Sequence, residues 1–225
     1  MFHPGCLTLI FVLGFLFLIP FFFAHLMIAA LAKLGLHPQV AMLALIGIIF
    51  GGSINIPVKR IPREEVLIVD PFTLFGFGRM FPRLRLQQSY TTLAVNVGGC
   101  LIPCALAFYQ CVRVIAQGPA ALLVLGMITL FTVIVCYRLA RPVRGIGIAM
   151  PALIPPLAAA IPSVILMPDF APPVAFVAGV LGPLIGADLL HLREIKRIAT
   201  GMASIGGAGT FDGIVLSGLM AALLA

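Results

Sequence analysis

Apolar runs of roughly twenty residues, parted by short basic stretches, follow one another along nearly the whole chain. A run of that length reads as a transmembrane helix. Seven are drawn, at 7–32, 39–57, 91–112, 119–137, 146–167, 172–192 and 206–224. Composition agrees with them. The chain is 62% hydrophobic and 9% charged, where a soluble domain carries about a quarter charged residues. The expectation is an all-α, multi-pass protein of the cell (inner or plasma) membrane. Residues 1–225 form a single transmembrane domain, with the lipid bilayer as its first partner.

The net charge of +7 does not indicate nucleic acid, because the basic residues lie between the apolar runs. Lys59, Arg60, Arg63, Arg79, Arg83 and Arg85 fall in one interval, Arg138, Arg141 and Arg144 in a second, and Arg193, Lys196 and Arg197 in a third. The opposite intervals hold only Lys33, Arg113 and Asp169. Basic loops mark the cytoplasmic side. The N-terminus is therefore expected inside and the C-terminus outside. The first run holds Pro20 and His25, which predict a tilt or kink. Ala30-Leu31-Ala32 resembles a cleavage site, but no basic residue precedes the long run, so a retained helix is expected. The 58–90 interval is the one long loop. VLIVD at 66–70 and RLRLQ at 83–87 predict a hairpin against the membrane, with Phe72, Phe75, Phe77 and Phe81 dipping into it.

Two carboxylates stand inside apolar runs: Asp188 in VLGPLIGADLLHL and Asp212 in GGAGTFDGIVLSG. An ionisable group in hydrocarbon is costly and marks a functional site by default. Asp188 is expected about one helical turn from the cytoplasmic boundary, and Asp212 nearly two turns in. Asn55, closing the second run, and Asn96, opening the third, fall in the same layer. The two Asp are the candidate catalytic residues. Asn55, Asn96, Gly207, Gly209 and Gly213 are candidate substrate-binding residues, since glycines let a second backbone approach. Gly209, Gly213 and Ser217 form one small-residue seam, and Gly182 and Gly186 another. The fifth run is broken by Pro151, Pro155, Pro156 and Pro162, as happens where freed backbone groups meet a cavity.

Other chemistry is thinner. Cys6, Cys100, Cys104, Cys111 and Cys136 read as small buried apolar residues. Asp188, His191 and Asp212 make a permissible divalent metal set, but no cofactor is expected. No HExxH and no Walker A loop is present.

GAD at 186–188, GTFDG at 209–213 and GGSINIP at 51–57 resemble an uncharacterised family of bacterial and archaeal membrane proteins whose function is unassigned. More distantly, the two aspartates on consecutive helices resemble the GxGD aspartyl intramembrane proteases of the presenilin and signal-peptide-peptidase class. Here the spacing is GxGxxD, with Thr210 and Phe211 before Asp212. Pro151-Ala152-Leu153 is similar to the PAL motif of that class. That resemblance implies a shared-proton pair, Asp188 and Asp212, cleaving a transmembrane peptide. Two other functions use the same residues: a proton- or cation-coupled transporter, and a scaffold whose aspartates pair with Arg138, Arg193 or Lys196.

Overall fold

The computed structural model describes residues 4–62, 90–143, 147–194 and 201–225. Each of the seven apolar runs contains one α-helix. They are α1 (Pro4–Lys33), α2 (Pro38–Gly51), α3 (Ile102–Ile115), α4 (Pro119–Leu139), α5 (Ile154–Leu166), α6 (Ala171–Leu181) and α7 (Gly213–Leu224). Among the described residues four helical stretches are long and apolar enough to cross a membrane: Val12–Lys33, Val97–Ile115, Pro119–Leu139 and Pro168–Glu194. The chain is thus mostly helical and suited to a bilayer.

The other three helices are shorter than expected. α2, α5 and α7 have 14, 13 and 12 residues. At 1.5 Å per residue they reach roughly 20 Å, against a hydrocarbon core of about 30 Å. The rest of each drawn span is not helix. The second continues into β1 (Asn55–Pro62), the third opens as β2 (Tyr90–Asn96), and the fifth opens around β4 (Gly147–Ala149). The seventh opens as a turn and one 3-10 turn, Gly209–Phe211, after β5 (Met202–Ile205). Local chemistry explains the stops. α2 ends at Gly51-Gly52, α5 waits for the Pro155-Pro156 pair to start a first turn, and α7 begins only after three glycines.

Backbone groups released there are satisfied by sheet pairing, as an apolar solvent demands. The order is β1-β2-β5. β1 and β2 pair antiparallel from Asn55↔Asn96 to Pro62↔Tyr90, with a bulge between Pro57 and Lys59. β2 and β5 pair parallel from Thr92↔Met202 to Val95↔Ile205. A second, two-stranded sheet joins β3 (Arg141–Val143) to β4. The expected strands at 66–70 and 83–87, with Phe72, Phe75, Phe77 and Phe81, lie outside the described residues.

One end of the bundle is closed. Lys33 Nζ donates to the Leu223 carbonyl at the end of α7, 2.7 Å away. Gln110 Nε2, fully buried, donates to the Leu34 carbonyl beyond α1 at 3.0 Å. Arg113 donates to that same carbonyl and lies 5.8 Å from the centre of the Phe170 ring. Cations thus sit on the carbonyl ends of helices, where the helix dipole favours them. These contacts bring the ends of α1, α3 and α7 and the start of α6 to one level.

Between the ends, α6 is the central helix. Val174, Val177, Ala178 and Val180 are fully or almost fully buried. A Cβ on Gly179 would come 2.8 Å from the Ser217 carbonyl, and one on Gly218 would come 2.5 Å from Val180 Cγ2. The α6–α7 seam therefore runs through Gly179, Ser217 and Gly218. This corrects the expected Gly209–Gly213–Ser217 seam, for Gly209 lies in the 3-10 turn before α7 and Gly213 has only Met150 Cε nearby, at 3.7 Å. Gly182 and Gly186 do pack closely, but against Thr132, Val133, Cys136 and Tyr137 of α4.

Candidate functional site

The opposite end of the bundle is built around glycines from three separate stretches. A Cβ on Gly98 would overlap the Ile48 carbonyl and the Gly52 amide, and one on Gly99 would overlap the Gly206 carbonyl. Gly209, at φ +60°, lies against the Cα of Gly52. Three backbones cross here at distances only glycine permits. Asn96 fastens the crossing. Its Nδ2 donates to the Gly52 carbonyl at 2.8 Å and to Asn55 Oδ1 at 3.1 Å, and its Oδ1 accepts from Gly99 N at 2.7 Å.

Beside this crossing lies a cavity of about 410 Å³. Its lining includes Asp188, Asp212, Asn55, Ser204, Gly206 and Gly207. Strand β5 forms one wall, and Gly147 and Ile148 of β4 contribute another. Both aspartates therefore face one space. The two differ in how they are held. Asp188 sits in a π-helical stretch, Gly182–Leu189, that continues α6. Wide π turns of this kind recur at functional sites. Among the described residues its half-buried carboxylate has no hydrogen-bond or ion-pair partner.

Asp212 is not two turns inside a helix, as the sequence suggested. It is the residue that caps α7. Its Oδ1 accepts from Ile214 N at 3.0 Å and its Oδ2 from Ala208 N at 3.3 Å. A capping Asp satisfies amides that the helix itself leaves unpaired.

The substrate-binding candidates divide. Asn55 and Gly207 line the cavity. Asn96 does not, and its amide is consumed in the glycine crossing, so it holds the site's frame. Gly209 packs on Gly52, and Gly213 is the exposed first residue of α7. The four polar residues were expected on four helices. Asp188 alone is in a helical stretch, while Asn55 opens β1, Asn96 closes β2 and Asp212 precedes α7.

His191 turns away from the aspartates. Its Nδ1 lies 3.0 Å from the Ala187 carbonyl, and its ring lies 5.0 Å from that of Tyr137. Among the described residues no three of His, Cys, Asp and Glu converge as a metal set, Asp188, His191 and Asp212 included. Neither aspartate pairs with Arg138 or Arg193, and Lys196 lies outside the described residues. Cys100 and Cys104 place their sulfurs 4.0 Å apart.

Ser204 is the residue the sequence did not single out. Its hydroxyl donates to Asn55 Oδ1 at 2.5 Å. A lone serine in MASIGG carries no signal of its own; only the parallel pairing of β2 with β5 brings it there. No curated protein matches the chain, and no solved structure does. Residues 49–224, which hold the glycine crossing, both sheets and both aspartates, match the family described as "Protein of unknown function (DUF1614)", and the chain belongs to it.

Proposed function

We propose that the protein is an intramembrane aspartyl protease, with Asp188 and Asp212 as its working pair. The observation that carries this reading is that both carboxylates line one cavity. Two nearby carboxylates do not both ionise cheaply, so they share a proton. The ionised member takes a proton from water, whose oxygen attacks the scissile carbonyl carbon. The protonated member gives its proton to the carbonyl oxygen; the C–N bond then breaks as the first carboxyl returns its proton to the leaving amine and the second takes one from a hydroxyl of the tetrahedral centre, which restores the pair. Asp188, without a partner among the described residues, is suited to change its protonation. Asp212, held by two backbone amides, is suited to remain ionised.

The walls support a peptide as substrate. β5 has one partner strand among the described residues, and its residues line the cavity. A peptide in extended form adds to such an edge by main-chain hydrogen bonds. A substrate helix must therefore unwind before its bond reaches the pair. The short helices α2, α5 and α7 leave room for water at that depth. By the positive-inside rule, the cavity opens toward the cytoplasm, and the expected N-in, C-out arrangement is part of this proposal.

The test uses peptides in which a hydroxyl-bearing tetrahedral centre replaces the scissile carbonyl. Such mimics bind far tighter than substrate. In detergent the mimic should raise the melting temperature of the parent and protect it from labelling at Ser204→Cys. The Asp188→Asn and Asp212→Asn variants should lose the shift. An equal shift in all three proteins, or none across a panel of apolar peptides, would overturn the reading. Proton- or cation-coupled transport is the second reading, favoured by three helices that stop part-way at a polar cavity. Ion-dependent uptake by proteoliposomes, abolished by either Asn variant, would support it instead.

A further inference from the structure

A second cavity, of about 280 Å³, is lined by Lys59, Arg60, Ile61, Pro62, Leu192 and Arg193. Three cations from two distant parts of the chain meet there. Lys59 and Arg60 come from β1, just past its bulge, and Arg193 from the 3-10 turn after the π-helical stretch. All three are exposed, and none makes an ion pair with a described residue. Gathering like charges costs energy unless an anion joins them. The charges lie beside an apolar floor of Ile61, Pro62 and Leu192. Leu192 also lines the aspartate cavity, so this pocket is its neighbour. Strand β1 begins at Asn55, three residues past Gly52 of the glycine crossing, and runs on to Pro62, which sets the pocket farther from the closed end, toward the membrane surface.

We propose that Lys59, Arg60 and Arg193 form a binding site for a phosphate group at the membrane surface. Arg presents a planar fork that matches phosphate oxygens, and Lys adds a point charge. Basic pockets between membrane segments take anionic headgroups in this way. The apolar floor would take the first carbons of an acyl-bearing ligand. The site is independent of any chemistry at Asp188 and Asp212.

The experiment is native mass spectrometry of the full chain in detergent, titrated with phosphatidylglycerol, phosphatidylcholine and, separately, inorganic phosphate. The parent should retain phosphatidylglycerol in preference to phosphatidylcholine. Each of Lys59→Gln, Arg60→Gln and Arg193→Gln should weaken retention about fivefold, as expected for the loss of one charge near an anionic headgroup. Arg138→Gln with Arg141→Gln, charges outside the pocket, should leave it unchanged. Lys59→Arg should retain binding and shows that the fold tolerates change there. Displacement of the lipid by millimolar inorganic phosphate would assign the site to free phosphate. Equal retention of both lipids with no phosphate binding, or equal loss in the Arg138/Arg141 control, would overturn the proposal.

Discussion

The two ends of the bundle solve the same solvation problem by opposite means. At the closed end α1, α3 and α7 finish and α6 starts near one level, and side chains cover the loose carbonyls: Lys33 on Leu223, and Gln110 and Arg113 on Leu34. At the open end helices stop early, and backbone covers backbone through strands and crossing glycines. A cavity of about 400 Å³ lies at this end too, between the start of α4 and the end of α5, but Asp169 is the one carboxylate in its lining. Strand pairing and glycine contact leave a cavity with two carboxylates in its lining. Irregular backbone at membrane depth persists only where protein or water satisfies it, so the open end is where chemistry is expected.

This contrast can be broken at single residues. The largest effect is expected from Gly99→Ala, whose new methyl would overlap the Gly206 carbonyl. A forced backbone shift of that kind costs about 3 kcal/mol, read as a lowered melting temperature in detergent. A parent-like melt would mean that the crossing is not a rigid joint. Next comes the closed end. Gln110→Leu combined with Arg113→Leu strips both donors from the Leu34 carbonyl and should cost about 2 kcal/mol. Binding of the transition-state mimic should survive in the molecules that remain folded; its loss would show that the two ends are coupled.

The capping role of Asp212 is sharpened by a pair of variants. Asp212→Ala removes the cap and should cost about 1 kcal/mol, whereas Asp212→Asn keeps an acceptor and should melt like the parent. Asp188→Asn should also melt like the parent or better, because no described partner is stranded. Destabilisation by both Asn variants would instead point to a structural charge network. The smallest effect is expected at Gly126, midway along α4 with nothing within 4 Å of a Cβ there. Gly126→Ala should stabilise by about 0.5 kcal/mol, so a loss there would show that the closed end is packed more tightly than it looks.

Much of the closed end was legible in the sequence, because long apolar runs admit one structure in a membrane and each contains an α-helix. The open end was legible only in its parts. IPVKRIP and TTLAV are short and rich in β-branched residues, and periodicity does not distinguish them from helix ends at that length. TTLAV was absorbed into the third run, whereas of IPVKRIP only Ile56 and Pro57 entered the second run and the rest was assigned to the 58–90 loop. The same error carried Asn55, Asn96 and Asp212 onto helices. Their convergence was still anticipated, because it followed from depth, and strands reach that depth as well as helices do. The role of Asn96 was not readable, since a buried amide and a substrate ligand look alike in one dimension. The pairing of Ser204 with Asn55 depends on the parallel β2–β5 register, a contact across 149 residues.

The early stop of α2, α5 and α7 also has an electrical consequence. Where the cavity admits water and salt, the ions carry the potential of that side up to the glycine crossing. The membrane voltage then falls across the closed end alone, over roughly 20 Å where the bilayer has about 30 Å. A charge that moves between Asp188 and the open side crosses almost none of that drop, while one that passed through the closed end would cross nearly all of it, about 2.3 kcal/mol per 100 mV.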